Sequence, residues 1–430
     1  MDRSLTPGQE ATMTRIVWRT MPLVMLVYLM AVIDRANVGF AKLQMVKALG
    51  MSETTYGFAA SLFFVGYLVF EVPSTLALNK YGARVWLARI LVSWGAVTVA
   101  LAFTASHTMF TVLRFLLGIA EAGAYPGIIF FTTLWFPQAY RARVMAIVTL
   151  GSAFGNMFGS LVSGPLLDLN GAFGLAGWQW IFIATGVPAV LIGVAVYALL
   201  TDTPAKATFL SDDEKRWLQD MLAREARDKA DHGSIWQVLW DGRVLLLSLV
   251  YTLILTALYG VIYWIPTVVR AFGVTGTQNG LLSSLPWALA AVLLMVIPGR
   301  IRRHETALAS MVVLSVVGVG AFLVSTMATD NTTRMIGMVI GTPCISLLLP
   351  SFWTLPSRFL SGARAATGIA AISTVANLGG FASQNLMPMV AEWGGFPAAA
   401  MIVPTICLGL LGIGVAVAAV KARTPQTATA

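Results

Sequence analysis

Residues 17–41 read VWRTMPLVMLVYLMAVIDRANVGFA. A helix needs about 20 largely apolar residues to cross the hydrocarbon core of a bilayer, and this run supplies them. It is long and has no small-residue cleavage site after a short core, so it reads as a span that stays attached, not as a removable leader. Toward its end stands an acid followed by a base, Asp34-Arg35. Each such charge costs about 2.5–3.5 kcal/mol at mid-membrane on insertion scales, so the pair predicts a wet interior at that depth.

The same ruler finds more candidates along the chain. In the first half they lie near 56–78, 86–106, 110–136, 143–167 and 179–200; in the second, near 244–268, 280–299, 306–327, 335–357, 365–390 and 398–420. The chain therefore reads as an all-α membrane protein with twelve transmembrane helices in two six-helix halves. The expected division is 1–200 for the first bundle, 201–243 for a linker and 244–430 for the second bundle. In the linker, Leu210-Ser211-Asp212-Asp213-Glu214 has the form of a helix start with acids in its first turn, predicting a short surface helix to about Ala230.

Composition agrees. The chain is 57% hydrophobic and 11% charged, with 39 Gly and 18 Pro. A soluble domain is about a quarter charged, and membrane helices tolerate Gly and Pro well. A net charge of +9 could suggest nucleic acid. Here the bases lie in short segments between apolar runs, which points to topology, and no nucleic-acid partner is expected. One side gathers Arg15, Arg19, Lys80, Arg84, Arg89, Arg141, Arg143, Arg302 and Arg364; the other holds Lys42, Lys47, Arg270 and Arg334. The positive-inside rule then places the first side, with both termini, in the cytoplasm. Cys344 and Cys407 fall in separate apolar runs and read as packing residues. No metal site or cofactor is expected, and the spans hold no nucleophile–base set, so the chain is not read as an enzyme.

Ionisable residues inside the spans carry the functional signal. Besides Asp34 and Arg35 these are Glu71, Arg114 and Glu121. Arg114 and Glu121 are two helical turns apart and share nearly one face. One interpretation is a pair of buried ion pairs that only hold helices together. The other is a proton and anion site: carboxylates taken out of water can load and lose protons near neutral pH, while a guanidinium keeps its charge and grips a carboxylate. Glu71 lies near the cytoplasmic end of its span in Phe70-Glu-Val-Pro-Ser74 and reads as a gate residue held by a nearby arginine. Among the aromatic residues, Tyr28 shares a face with Arg35, Tyr259 and Tyr263 share one with each other, and Trp353 ends the tenth span. Those four are expected to line the cavity.

Several stretches resemble a known family. Ile33-Asp-Arg-Ala-Asn-Val-Gly-Phe-Ala41, Phe70-Glu-Val-Pro-Ser74, Tyr81-Gly-Ala-Arg-Val-Trp-Leu-Ala-Arg89 and Arg114-Phe-Leu-Leu-Gly-Ile-Ala-Glu-Ala-Gly123 look like the major facilitator superfamily. With Gly177-Trp-Gln-Trp180, Phe352-Trp-Thr-Leu-Pro356 and Asn377-Leu-Gly-Gly-Phe381, they are most similar to its anion:cation symporters, in the group of bacterial tartrate, phthalate and 4-hydroxyphenylacetate permeases. The resemblance implies proton-coupled uptake of a small organic carboxylate across a bacterial inner membrane, by a monomer in the lipid bilayer. It implies that Asp34 and Glu121 carry protons, that Arg35 and Arg114 hold the anion, and that Trp353, Ser373 and Asn377 touch substrate. Glu71, Arg84 and Arg89 would serve the gate. Ser373 stands where relatives often have Asn, and Asn79-Lys-Tyr-Gly-Ala-Arg84 lacks the family's usual loop Asp. Two other readings remain open: an organic anion exchanger on the same fold, and a non-transporting membrane sensor.

Overall fold

The computed structural model describes residues 6–227, 241–297, 304–356 and 362–423. In the first half the helices are α1 (Pro7–Ala48), α2 (Glu53–Tyr81), α3 (Ala83–Leu101), α4 (His107–Glu121), α5 (Ala124–Trp135), α6 (Gln138–Asp168) and α7 (Gly177–Leu199). A surface helix follows, α8 (Asp212–Arg227). The second half contains α9 (Gly242–Arg270), α10 (Gly276–Val296), α11 (His304–Met327), α12 (Asn331–Trp353), α13 (Gly362–Ala376), α14 (Leu378–Gly394) and α15 (Ile402–Arg423).

Each of the twelve expected spans falls on helix among the described residues. Eleven are long and apolar enough to cross a membrane, with α4 and α5 together forming the fourth. The remaining one, the eleventh, is the broken pair α13–α14. Two features were not expected. α1 is much longer than its apolar run, because Thr6 caps it at one end through a reciprocal pair of bonds with Gln9 and Pro7 occupies the first turn. The fourth span is interrupted directly after Glu121: Ala122 leaves the helical conformation in a turn and Gly123 is left-handed, at φ 88°. Only glycine adopts that conformation without strain, and a Cβ there would also collide with Ser74. The Ser74 hydroxyl donates to the Ala122 carbonyl that the break releases.

The helices alternate between two ends. The near end carries the start of α1 and α8; the far end carries the turn between α1 and α2. At the near end the linker region is tied to the first half. Arg15 and Thr12 of α1 hold Glu214, with Arg15 at 3.3 Å, and Arg141 of α6 holds Glu225 at 3.3 Å. Asp202 accepts from the Arg84 backbone N–H, at the start of α3. The expected linker helix is α8, and residues 228–240 of that segment lie outside the described residues.

The two halves pack against each other through α1 on α9, α2 on α14 and α6 on α10. These contacts are tightest toward the far end, where glycines let backbones touch. A Cβ on Gly39 would sit 2.7 Å from the Tyr263 carbonyl oxygen, and one on Gly164 would sit 2.5 Å from the Gly280 Cα. Asp168, ending α6, adds a polar clasp by accepting from the backbone N–H groups of Gly276 and Thr277, at 2.8 and 2.7 Å, where α10 begins. Those N–H groups have no partner within the helix, so the carboxylate caps a helix of the opposite half.

Candidate functional site

Midway along α1, Asp34 and Arg35 point to different surroundings. Arg35 extends toward the interface between the halves. Its Nε and Nη2 donate to Glu121 Oε1 at 2.9 and 2.7 Å, and its Nη1 donates to the Tyr259 hydroxyl at 2.9 Å. The guanidinium also lies over the rings of Tyr67 and Phe63, at 5.3 and 5.6 Å from their centroids. A planar, weakly hydrated cation suits this combination of carboxylate, hydroxyl and aromatic faces. The Arg35 side chain keeps 23% of its exposure while Glu121 keeps none, so the pair is reached from the arginine side. Glu121 owes its place to the helix break that follows it. Its second oxygen, Oε2, is buried and has no hydrogen-bond partner.

Asp34 turns instead into the first half. Its Oδ1 accepts from Asn37 and from the Thr98 hydroxyl, both at 3.1 Å, and Asn37 also bonds Thr185 at 3.0 Å. Oδ2 is buried without a partner. This carboxyl group therefore sits among neutral donors on α1, α3 and α7, with one oxygen open to a proton.

Arg114 is also buried. It donates from Nε and Nη2 to the Ala60 carbonyl at 3.3 and 3.1 Å and lies over Phe63, 5.0 Å from the centroid. Of the two arginines, then, one is held by an acid and the other by a backbone carbonyl. The sequence places one acid and one arginine on each of two helices; the structure pairs Arg35 with Glu121 and leaves Asp34 and Arg114 without a salt bridge between them.

For Glu71 the described partner is a threonine, and the side chains of Arg302, Arg358 and Arg364 lie outside the described residues. Glu71 is buried, and its Oε2 accepts from the Thr374 hydroxyl of α13 at 3.0 Å, so it bridges the halves through a neutral group. Arg84 and Arg89 stay within the first half. Arg84 donates to the Tyr197 carbonyl, and Arg89 to that of Ala120 at 3.4 Å while lying over the Trp86 ring. Neither meets Glu71.

The aromatic residues divide as well. Tyr28 packs on Tyr125, with centroids 5.9 Å apart, and Tyr259 packs on Phe64 at 5.0 Å while holding Arg35. Trp353 forms a cluster with Phe352 and Tyr251, at 5.3 and 5.1 Å. Tyr263 lies away from Arg35. One turn beyond Tyr259, it is already inside the far-end seal, beside Trp264 and Lys42. Ser373 and Asn377 flank the break between α13 and α14; both are half-buried, and the Asn377 N–H bonds the Ser373 carbonyl at 3.2 Å. Asn385 reaches across to Ser61 at 3.0 Å.

The sequence reading missed Thr98, Thr185, Tyr251 and the Lys42–Glu53 pair. Lys42 could have been found by its register, two turns after Arg35 on the same helix. Among the described residues, no cluster of His, Cys, Asp and Glu could hold a metal ion.

Two helical bundles with a buried cation–carboxylate pair turned toward their interface are an arrangement shared by membrane carriers built from two halves. Residues 24–384 match the description "Major Facilitator Superfamily", and the chain belongs to that family. It is 41% identical, over 97% of its length and 96% of the other's, to a protein of Agrobacterium vitis named "Putative tartrate transporter". It is 36% identical, over 96% of each chain, to the "Quinolone resistance transporter" of Acinetobacter baumannii. Among solved structures, a bacterial homolog to the human lysosomal transporter Spinster superposes with a TM-score of 0.74 at 16% identity, covering 99% of this chain and 100% of that one. The protein is thus a multi-pass membrane transporter of a small molecule and not an enzyme.

Proposed function

We propose that this transporter brings a small organic carboxylate into the cell together with protons, across a bacterial inner membrane, and works as a monomer. The near end, rich in Arg, faces the cytoplasm with both termini. The observation that carries the proposal is Arg35. Its guanidinium is held by the fully buried Glu121, touches Tyr259 of the opposite half and keeps an exposed side. Protonation of Glu121 releases the guanidinium for a substrate carboxylate, which replaces one anion by another without leaving a buried cation alone. Asp34, with its open Oδ2, is the second proton site. The relative named for tartrate supports a hydroxylated organic acid as cargo.

Charge sets the driving force. A monoanion with one proton moves no net charge, so each unit of pH gradient contributes about 1.4 kcal/mol. A second proton adds about 2.3 kcal/mol per 100 mV of membrane potential. A dianion needs two protons to avoid moving against that potential, and the two carboxyl groups supply them.

An anion exchanger on the same fold is the second reading. It is favoured by Arg114, which rests on a carbonyl and needs no proton to accept an anion. The deciding experiment is uptake of labelled L-tartrate, sugar acids, phthalate, hydroxyphenylacetate and nicotinate into proteoliposomes with an imposed pH gradient. Accumulation driven by outside acid is expected for at least one. Uptake of none, or uptake only against a preloaded internal anion, would overturn the symport reading.

A further inference from the structure

Lys42 stands two turns beyond Arg35 on the same face of α1. Its side chain is fully buried. Its Nζ lies 2.8 Å from Glu53 Oε2, 3.4 Å from the centroid of the Trp264 ring and 4.9 Å from that of Tyr263. Glu53 belongs to the same half as Lys42, whereas Trp264 and Tyr263 belong to the other. Beneath the lysine, Gly39 brings α1 against the Tyr263 backbone. The Trp264 indole is locked by its N–H, which donates to the Pro397 carbonyl at 2.8 Å. Above it, a cavity of about 430 Å³ opens at the far end, lined by Ser52, Glu53, Trp264, Thr267, Glu392 and Phe396 among others. Glu53 keeps 45% of its side-chain exposure there, and Lys42 keeps none. Solvent from the far end therefore reaches Glu53 and stops at Lys42 and Trp264, both of which are buried. Arg35 and Lys42 form a ladder of two cations on α1, matched on α9 by Tyr259 for the first and by Tyr263 and Trp264 for the second.

We propose that Lys42 and Trp264 are the latch of the far gate, a pair of gate residues for transport: Trp264 covers the Lys42 ammonium in this far-closed state and withdraws from it when the halves part. This rests on the alternating-access reading of the fold but not on the identity of the cargo. Glu53 travels with Lys42, so their ion pair is present in both states and favours neither. The ring contact is made only when the far end is closed. It offsets the loss of hydration that burial imposes on an ammonium. Without the Trp264 ring, closing the gate leaves the buried cation only the more distant Tyr263 ring from the opposite half. With the ring, the closed state holds but keeps a buried charge that water competes for, which lets the gate reopen. Opening uncovers an ammonium in line with Arg35.

The test is a double-mutant cycle read by spin-label distances across the far end. Labels at Ala48→Cys and Ala271→Cys report the separation of the halves, with Cys344→Ala and Cys407→Ala removing the native thiols. With Lys42 present, Trp264→Leu is expected to raise the far-open fraction about tenfold. In a Lys42→Met carrier the same substitution is expected to change it less than about twofold, because no cation is left to cover. Trp264→Phe, which retains a ring, is expected to fall between and serves if the leucine variant does not fold. An equal shift in both backgrounds, or no shift in either, would overturn the latch. The measurement contains no substrate. A carrier that shows the coupling but takes up no carboxylate counts against the proposed cargo and leaves the latch standing.

Discussion

The two halves of this transporter divide the chemistry unequally. Every charged side chain that is buried among the described residues belongs to the first half: Asp34, Lys42, Glu71, Arg114 and Glu121. The second half answers with neutral groups, namely the hydroxyls of Tyr259 and Thr374 and the rings of Tyr263 and Trp264. The ion pairs Arg35–Glu121 and Lys42–Glu53 lie wholly within the first half. Relative movement of the halves can therefore change the neutral partners of these charges without separating opposite charges in a dry interior. Separating a buried pair costs several kcal/mol, whereas a neutral hydrogen bond exchanged for water costs about 1 kcal/mol. The division makes rocking inexpensive and leaves the charge switch to protons.

The largest expected effect tests the ion pair. Arg35→Ala leaves Glu121, with no exposed side-chain surface, without its cation. A loss of about 3–5 kcal/mol in stability is expected. Glu121→Ala leaves an arginine that water already reaches and should cost clearly less. Thermal unfolding of the purified protein compares the two, and equal losses would contradict the one-sided access. Next comes the seam itself. Gly164→Val places a branched side chain against the Gly280 backbone, which cannot move aside as a side chain can. It is expected to disfavour the far-closed state by about 1–3 kcal/mol, seen as a longer separation between far-end labels.

A smaller effect isolates a neutral partner. Tyr259→Phe removes the hydroxyl that Arg35 bonds and should raise the half-saturating substrate concentration about tenfold, with little change in thermal stability. The smallest lies at the near end. The hydrogen bond from Thr12, with support from the Ser211 backbone and Arg15, holds the Glu214 carboxyl below its usual range. That contribution is present above the unfolded value of about 4.3 and is lost as pH falls through the lower folded value. Glu214→Gln should remove at most about 1 kcal/mol, and only above that range, as measured by unfolding at neutral and acid pH.

Much of the fold was legible because apolar length is a direct demand of the bilayer. Asp34, Arg35, Arg114 and Glu121 stood out because charges at that depth must be satisfied. Their pairing was not legible. The break at Gly123 fixes where Glu121 sits, and a glycine in a membrane helix looks ordinary in sequence. Tyr263 was placed with Tyr259 by helical spacing, but one turn is about 5.4 Å and separates the site from the far seal. Lys42 does not stand out in the sequence, because a lysine near a span end usually extends to the membrane surface. Here Glu53 and the rings of α9 enclose it instead. Glu71 meets Thr374 of the opposite half, while the side chains of Arg302, Arg358 and Arg364 lie outside the described residues.

The most direct test of the central claim is Glu121→Gln in proteoliposomes, with carboxylate accumulation and anion exchange measured side by side. The amide can no longer carry a proton. Loss of uptake driven by outside acid, with exchange between preloaded and external anion retained, is the predicted result. A Glu121→Gln carrier that still accumulates its substrate in response to the pH gradient would contradict it.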